Sequence, residues 1–353
     1  MTFSINKLLR PHIANLTPYS SARDEYSGKE GVFLDANENP IGSITTANFN
    51  RYPDPYQSQL KEKIAVIKNV PESGIFLGNG SDEAIDLLFR AFCNPGKDNI
   101  IILPPTYGMY EVSAEINDVS IKRVNLSDDF QLRPDEILAK VDNFTKIIFI
   151  CSPNNPSGNE MKKEAILQIL NGFNGLVVVD EAYVDFSSSP SFSQFLDQYP
   201  NLLVMQTFSK AWGLASLRLG MAFASTDVIQ VLNRIKPPYN ISGLTQETVL
   251  AALGEVDKKN AMVADILEER RTLAEALHKL PLVEKVYPSD ANFLLVKIKG
   301  ARQIYDYLID NKIIVRDRSR VVLCEDCLRI TVGTAKENGI LLDVLEKYQD
   351  FGG

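Results

Sequence analysis

From about residue 57 to residue 250, short β-branched runs alternate with amphipathic stretches, and this alternation restricts the fold more than any other feature of the chain. Strand, helix, strand in succession is the pattern of βαβ units, which build a mainly parallel sheet with helices packed on its faces. Ile100 to Leu103, Ile121 to Val124, Ile147 to Ile150, Leu176 to Val179 and Leu202 to Gln206 read as buried strands. Between and before them, Ser81 to Phe92, Tyr107 to Glu115, Pro134 to Lys140 and Lys162 to Leu170 carry helical spacing or helix start signals. In an open α/β sheet the ligand lies off the carboxyl ends of the strands. Residues that directly follow the runs are therefore the first candidates for chemistry.

After Pro237 and Pro238 the texture changes. A helical stretch from about Thr245 to Leu280 leads to strand-like Phe293 to Lys297, Ile313 to Val315 and Leu328 to Val332. A length of 353 residues suggests roughly two domains. The expected division is a large α/β domain over 51–250 and a small α+β domain over 251–353, with residues 1–50 forming an arm that completes the small domain. No repeat, heptad run or low-complexity tract is visible.

Composition narrows the chemistry. With 45% hydrophobic residues the chain has ample material for a core, which excludes disordered and collagen-like classes. Thirty-seven Lys+Arg against 45 Asp+Glu leave a formal net charge of −8, the wrong sign for holding nucleic acid or anionic lipid by bulk charge. Any phosphate must be gripped locally. Only two histidines, His12 and His278, are present, too few for a histidine-rich metal site or a Ser/His/Asp triad, so no metal is expected. Cys324 and Cys327 form a C-x-x-C pair, but without a second pair or nearby His they read as ordinary buried thiols. The first twenty residues have no unbroken apolar stretch, Pro11 interrupting them, and the longest apolar runs are far short of the roughly 20 residues that span a bilayer. A cytoplasmic protein is expected.

Three segments carry the candidate chemistry. Gly78-Asn79-Gly80-Ser81-Asp82-Glu83 stands directly before a helix, where small residues let backbone N–H groups approach an anion. Taken alone it is equally a structural helix start, and it matches neither G-x-G-x-x-G nor the P-loop. Ser152-Pro153-Asn154-Asn155-Pro156-Ser157-Gly158 and Asp180-Glu181-Ala182-Tyr183 each follow a strand; either can be only a turn or a cap. Lys210 follows an apolar run and Ser209, and precedes Ala211, Trp212, Gly213 and Leu214. That is poor surface composition for a lysine and favours a partly desolvated, reactive amine.

In this order, GNGSDE, PTYGMY, SPNNPSG, DEAY, SKAWGLASLRLG and LRITVG resemble the motif succession of the pyridoxal 5′-phosphate aminotransferases of fold type I, and among them the histidinol-phosphate branch. The resemblance covers nearly the whole chain, including LTPYSSAR, LDANENP and RYPDP near its start. It implies a large domain with a mainly parallel sheet between helices, a smaller α+β domain, and pyridoxal phosphate as cofactor. By the resemblance, Lys210 is the Schiff-base lysine and the base that moves the substrate proton, and Asp180 sits against the pyridine nitrogen. Asn155 and Tyr183 donate to the ring oxygen, and Tyr107 stacks on the ring. Backbone N–H groups of Gly80, Ser81 and Asp82, the Ser209 hydroxyl and the Arg218 guanidinium would take the cofactor phosphate. Tyr52 would reach the cofactor phosphate of a neighbouring subunit, which implies a homodimer with shared sites.

On the substrate side the resemblance assigns the acidic group of the substrate to Arg329, Arg316 and Tyr19, with Asn37 and Glu38 lining that side. Arg318 and Arg320 read as part of a solvated turn. The implied reaction converts L-histidinol phosphate and 2-oxoglutarate to imidazole acetol phosphate and glutamate, as a step of histidine biosynthesis. The alternatives are a threonine-phosphate decarboxylase or an aromatic aminotransferase of the same fold, and more remotely a non-catalytic regulator that binds the cofactor. The absence of a basic face argues against the last.

Overall fold

A computed structural model describes residues 3–19 and 31–351. Its centre is a seven-stranded sheet built from β1 (Ile75–Asn79), β2 (Asn99–Ile102), β3 (Ser120–Arg123), β4 (Thr145–Cys151), β5 (Leu176–Asp180), β6 (Leu202–Thr207) and β7 (Leu219–Ala224). Their spatial order is β1-β7-β6-β5-β4-β2-β3. β7 pairs antiparallel with both β1 and β6, and the remaining pairs are parallel. The mainly parallel sheet expected from the strand–helix alternation is therefore present.

Every residue of β5, β6 and β7 is buried, because helices cover both faces. On one side Ile85, Leu88, Phe89 and Phe92 of the helix Ser81–Phe92 pack with Phe149, Val178 and Met205; on the other, Ile166 and Ile169 of the helix Lys163–Gly172 pack with Ile148, Val177 and Val204. Burying each such side chain contributes about 1.5–3 kcal/mol. The N-terminal segment lies against the first of these layers through Phe3, Leu8 and Ile13, and Arg10 donates from Nη1 to the Arg90 carbonyl at 2.9 Å.

A four-stranded antiparallel sheet follows, in the order β10-β11-β9-β8, formed by β8 (Val283–Val286), β9 (Phe293–Ile298), β10 (Arg316–Asp317) and β11 (Cys327–Thr331). It packs on the helices Val256–His278, Ala301–Asp310 and Ala335–Phe351 through Leu273, Leu277, Ile304, Leu308, Leu341 and Leu345. Arg316 stands opposite Arg329 in the β10/β11 register.

Two expectations need correction. The stretch Thr245 to Leu280 is not one helix but two, Gly243–Ala252 and Val256–His278. Between them the amide nitrogens of Gly254 and Glu255 turn back to the carbonyls of Ala251 and Ala252, and exposed Gly254 carries little helical preference of its own. Ile313 to Val315 is not a strand either. The Ile313 amide closes the preceding helix by donating to the Leu308 carbonyl at 2.8 Å, and pairing begins only at Arg316.

All four cysteines are buried free thiols, and burial pushes Cys324 and Cys327 up to about 12. Among the described residues no helix is long and apolar enough to cross a membrane. The part of LTPYSSAR beyond Tyr19 lies outside the described residues.

Candidate active site

The carboxyl edge of the large sheet brings the sequence candidates together. Gly80 follows β1, Tyr107 follows β2, Asn155 follows β4, Asp180 ends β5, and Ser209 and Lys210 follow β6. Arg218 reaches the same edge from the opposite sense, since it stands just before β7, the one strand of this sheet that runs the other way. All these residues, with Ser81, Asp82, Cys151, Ala182, Tyr183, Thr207 and Ala215, line one cleft of about 630 Å³.

Asp180 is the deepest charged group in the cleft, 3% exposed. Burial raises its carboxyl to about 6, against two hydrogen bonds that favour the ionised form: Tyr110 Oη donates to Oδ2 at 2.6 Å and the Ala182 amide to Oδ1 at 3.1 Å. Lys210 opens to the cleft, and its Nζ lies 5.6 Å from the centre of the Tyr183 ring. Desolvation, then the charge of Arg329, lowers its pKa, with Arg218 adding to the effect and Asp180 and Asp82 opposing it. Tyr107 donates to Asp82 Oδ1 at 3.1 Å, and Asn155 Nδ2 donates to Tyr183 Oη at 3.4 Å.

At one end of the cleft the chain makes an anion cradle. Gly80, at φ +74°, caps the helix Ser81–Phe92 without any side-chain cap, so the first-turn N–H groups face the cleft end where Arg218 stands. The Gly80 amide donates to the Arg218 carbonyl at 2.6 Å, and Arg218 itself is held at φ +52°. Its Nη2 lies 3.6 Å from Asp82 Oδ2, and a Cβ on Gly80 would come within 2.7 Å of that same nitrogen. Ser209 is oriented by Thr207, whose Oγ1 accepts from the Ser209 amide and donates to its Oγ, each at 3.0 Å.

The small sheet does not line the cleft but touches its edge through Arg329, which bonds to the lining residue Asn155. Arg329 Nη1 donates to Asn155 Oδ1 at 2.6 Å, its guanidinium lies 5.2 Å from the Phe293 ring centre, and its buried Nε has no partner among the described residues. Desolvation lowers the Arg329 pKa, and nearby Arg318 and Arg316 lower it further while Tyr183 opposes. Arg318 is half-buried, whereas Arg320 is exposed. The Arg318 amide donates to the Cys327 carbonyl at 2.9 Å, which extends the β10/β11 ladder by one rung and sets Arg318 on the same face as Arg316.

Like Arg316 and Arg329, the remaining candidates are not among the residues that line the cleft of the single chain. Tyr19 is 75% exposed and Asn37 is exposed at φ +53°. Tyr52 is half-exposed and stacks on Tyr239 with 4.4 Å between ring centres. Glu38 is turned away, pairing with Arg51 at 2.7 Å and accepting from the Tyr52 amide at 2.6 Å. Tyr110, beneath Asp180, was given no role in the sequence, and Arg318, read there as part of a solvated turn, is half-buried. The i, i+3 spacing of Tyr107 and Tyr110 was the available signal for the first.

A group with a phosphate and an aromatic ring carrying a basic nitrogen fits this arrangement. The cradle of Gly80, Ser81, Ser209 and Arg218 suits the phosphate, Tyr107 offers a ring face, and buried Asp180 lines the cleft without an ion pair among the described residues, Lys210 acting on it only from a distance. The aminotransferase class I and II family model matches residues 28–345. Over 348 residues the chain is 59% identical to the histidinol-phosphate aminotransferase of Cytophaga hutchinsonii, covering 99% of this chain and 100% of that one. The crystal structure of the histidinol-phosphate aminotransferase from Clostridium acetobutylicum aligns with a TM-score of 0.79 at 24% identity, covering 86% of this chain and 92% of that one. That from Sinorhizobium meliloti, in complex with pyridoxal-5′-phosphate, aligns at 0.78 and 22% identity, covering 89% and 90%. These two structures bear on the fold alone, which is that of fold type I. With the family model spanning both sheets and the whole cleft, this chain belongs to the class I and II aminotransferases.

Proposed function

We propose that this aminotransferase moves the amino group of L-histidinol phosphate to 2-oxoglutarate, giving imidazole acetol phosphate and L-glutamate in two half-reactions, with pyridoxal phosphate as cofactor. The name of the Cytophaga relative supports the substrate. The observation that carries it in the structure is the pairing of Arg316 directly opposite Arg329, with Arg318 on the same face. Like charges set opposite one another on a sheet repel. Such a cluster is stabilised by an anion of high charge, and a phosphate answers that better than a single carboxylate.

In this reading the residues divide the work. Arg218, the Ser209 hydroxyl and the N–H groups of Ser81 and Asp82 would hold the cofactor phosphate, whereas the Gly80 N–H, expected from the sequence to join them, is engaged by the Arg218 carbonyl; Tyr107 would cover the ring. When bound, pyridoxal phosphate supplies an electron sink for the charge left at the substrate Cα. Asp180 holds a proton at the ring nitrogen, which keeps that sink deep. Asn155 and Tyr183 donate to the ring oxygen. Lys210 would hold the cofactor and would take the substrate Cα proton on its free amine; its lowered pKa leaves more of that amine neutral for both tasks. Arg329, Arg316 and Arg318 receive the substrate phosphate. Tyr52 serves the cofactor phosphate of a second copy in a homodimer, which agrees with its half-exposed place outside its own cleft.

The test is a half-reaction assay. Protein loaded with pyridoxal phosphate is mixed separately with histidinol phosphate, threonine phosphate and phenylalanine, and formation of pyridoxamine phosphate is followed by absorbance. Fast conversion by histidinol phosphate is expected; conversion by phenylalanine alone, or carbon dioxide release from threonine phosphate, overturns the substrate. Lys210→Ala should abolish both the absorption of covalently bound cofactor and turnover.

A further inference from the structure

Tyr110 stands one turn beyond Tyr107 but faces the other way. Tyr107 lines the cleft, whereas Tyr110 is fully buried beneath it. Its ring stacks on Phe149 of β4 at 4.6 Å and 14°, and meets the Tyr107 ring edge-on at 5.5 Å; Phe149 stacks in turn on Phe89. This aromatic column fixes the Tyr110 hydroxyl 2.6 Å from Asp180 Oδ2. Among the described residues it gives Asp180 its one side-chain hydrogen bond, the other bond coming from the Ala182 amide.

We propose that Tyr110 is a positioning residue that acts through Asp180, keeping the proton shared between this carboxylate and the ring nitrogen of the cofactor on the nitrogen. The proposal rests on the reading that Asp180 faces that nitrogen. A carboxylate taken out of water becomes a stronger base, and one that is too strong takes the ring proton for itself. The result is a neutral acid beside a neutral pyridine, a poorer electron sink with the charge separation lost. A donor fixed on Oδ2 stabilises the ionised carboxylate and holds its basicity down.

The groups that face Asp180 are Asp82 from the helix Ser81–Phe92, Tyr107 and Tyr110, Cys151 at the end of β4, Tyr183 after β5 and Lys210 after β6. Asp82 raises the Asp180 basicity, and Lys210 lowers it from a distance. Tyr110 stays protonated, because burial and the nearby Asp180 charge push its phenol far up. It is therefore a donor at neutral pH and well above it.

The experiment is Tyr110→Phe in the holoenzyme, loaded with pyridoxal phosphate labelled with 15N in the ring. The 15N resonance distinguishes a protonated from a neutral ring nitrogen. In the variant it is expected to move toward the neutral value near pH 7, with kcat reduced about 10- to 100-fold and KM nearly unchanged. Incorporating 3-fluorotyrosine at position 110 keeps the ring and makes a stronger donor, so the nitrogen should stay protonated to higher pH than in the native enzyme. A nitrogen signal that matches the native protein in both variants overturns the proposal. So does a Phe variant that loses its fold, since the hydroxyl is then a structural group. A neutral nitrogen in the native holoenzyme, or one unaffected by Asp180→Asn, would instead sink the reading of Asp180 itself.

Discussion

Arg329 Nη1 donates to Asn155 Oδ1 at 2.6 Å, across 174 residues of sequence. The bond ties β11 of the small sheet to the turn that follows β4 of the large one, so the arginine proposed for the substrate also anchors the amide proposed for the cofactor. Asn155 is left with its Nδ2 as the donor toward Tyr183 Oη, and Arg329 is left with a buried Nε that has no partner among the described residues. A buried donor without an acceptor costs about 1–3 kcal/mol. An anion bound between the two sheets removes that cost.

Truncating Arg329 is therefore expected to act on the substrate first and on the cofactor second. Arg329→Ala should lower kcat/KM for histidinol phosphate about 100-fold, the loss of a charge-assisted, two-pronged contact. Arg329→Lys keeps the charge but not the planar fork, and should recover only part of the loss. Single-turnover half-reactions at varied donor concentration measure both. A native kcat/KM in the Ala variant removes Arg329 from the substrate site.

Arg318 and Arg320 lend themselves to a paired comparison. Arg318 is half-buried and shares a face with Arg316 and Arg329, while Arg320 is exposed. Arg318→Gln should raise KM for histidinol phosphate about tenfold and affect glutamate less, because a dianion gains more from a third guanidinium than a carboxylate does. Arg320→Gln should leave both donors near native values. Equal effects of Arg318→Gln on the two donors would show that Arg318 does not read the phosphate.

These arginines mark where sequence reasoning stops. Arg316, Arg318 and Arg320 are spaced alike, and only the rung from the Arg318 amide to the Cys327 carbonyl distinguishes the middle one from a solvated turn. The place of Asp180, Asn155 and Lys210 at the sheet edge was legible because each ends or lies within a few residues of an apolar run, and strand ends gather at one edge of a parallel sheet; their roles came only from the motif resemblance. β7 was not legible: Leu219–Ala224 contains no β-branched residue. Tyr110 was missed for a different reason, since its partner Asp180 lies 70 residues away and the bond exists only once β5 and the helix Met109–Ile116 have packed.

Burial of Asp180 predicts a pH-dependent stability of the cofactor-free protein. Its pKa rises from 3.8 in the unfolded chain to about 6 in the fold, so the folded state binds the proton more tightly. The stabilisation is complete below about pH 4 and is lost as pH rises through 6. Asp180→Asn escapes this loss. Without cofactor the variant should exceed the native protein by about 2–3 kcal/mol at pH 7.5 and match it near pH 4, as measured by urea unfolding. Glu181, raised by burial to about 7, is common to both proteins and cancels in the comparison. A gap that is widest at pH 4 would contradict the assignment.

Gly220 tests how the sheet positions the phosphate cradle. It lies in β7, opposite Gly78, where the strand passes directly against the start of the helix Ser81–Phe92. A Cβ there would stand 2.2 Å from the Ser81 amide nitrogen and 2.5 Å from the Gly80 carbonyl carbon, both backbone atoms that cannot turn aside. Gly220→Ala must move either β7 or the first turn of the helix. Moving β7 disturbs its ladders to β1 and β6; moving the helix turn would shift the Ser81 N–H, and Arg218 through the bond from the Gly80 amide to its carbonyl, away from the proposed phosphate position. The expected result is a loss of about 2–3 kcal/mol of stability together with an increase of about tenfold or more in the dissociation constant for pyridoxal phosphate. Gly339→Ala serves as the control: a Cβ in that helix meets nothing within 4 Å and should stabilise by about 0.5–1 kcal/mol. Urea unfolding and cofactor titration of both variants decide the matter, and native cofactor affinity in Gly220→Ala would show that the cradle is not set by the approach of β7.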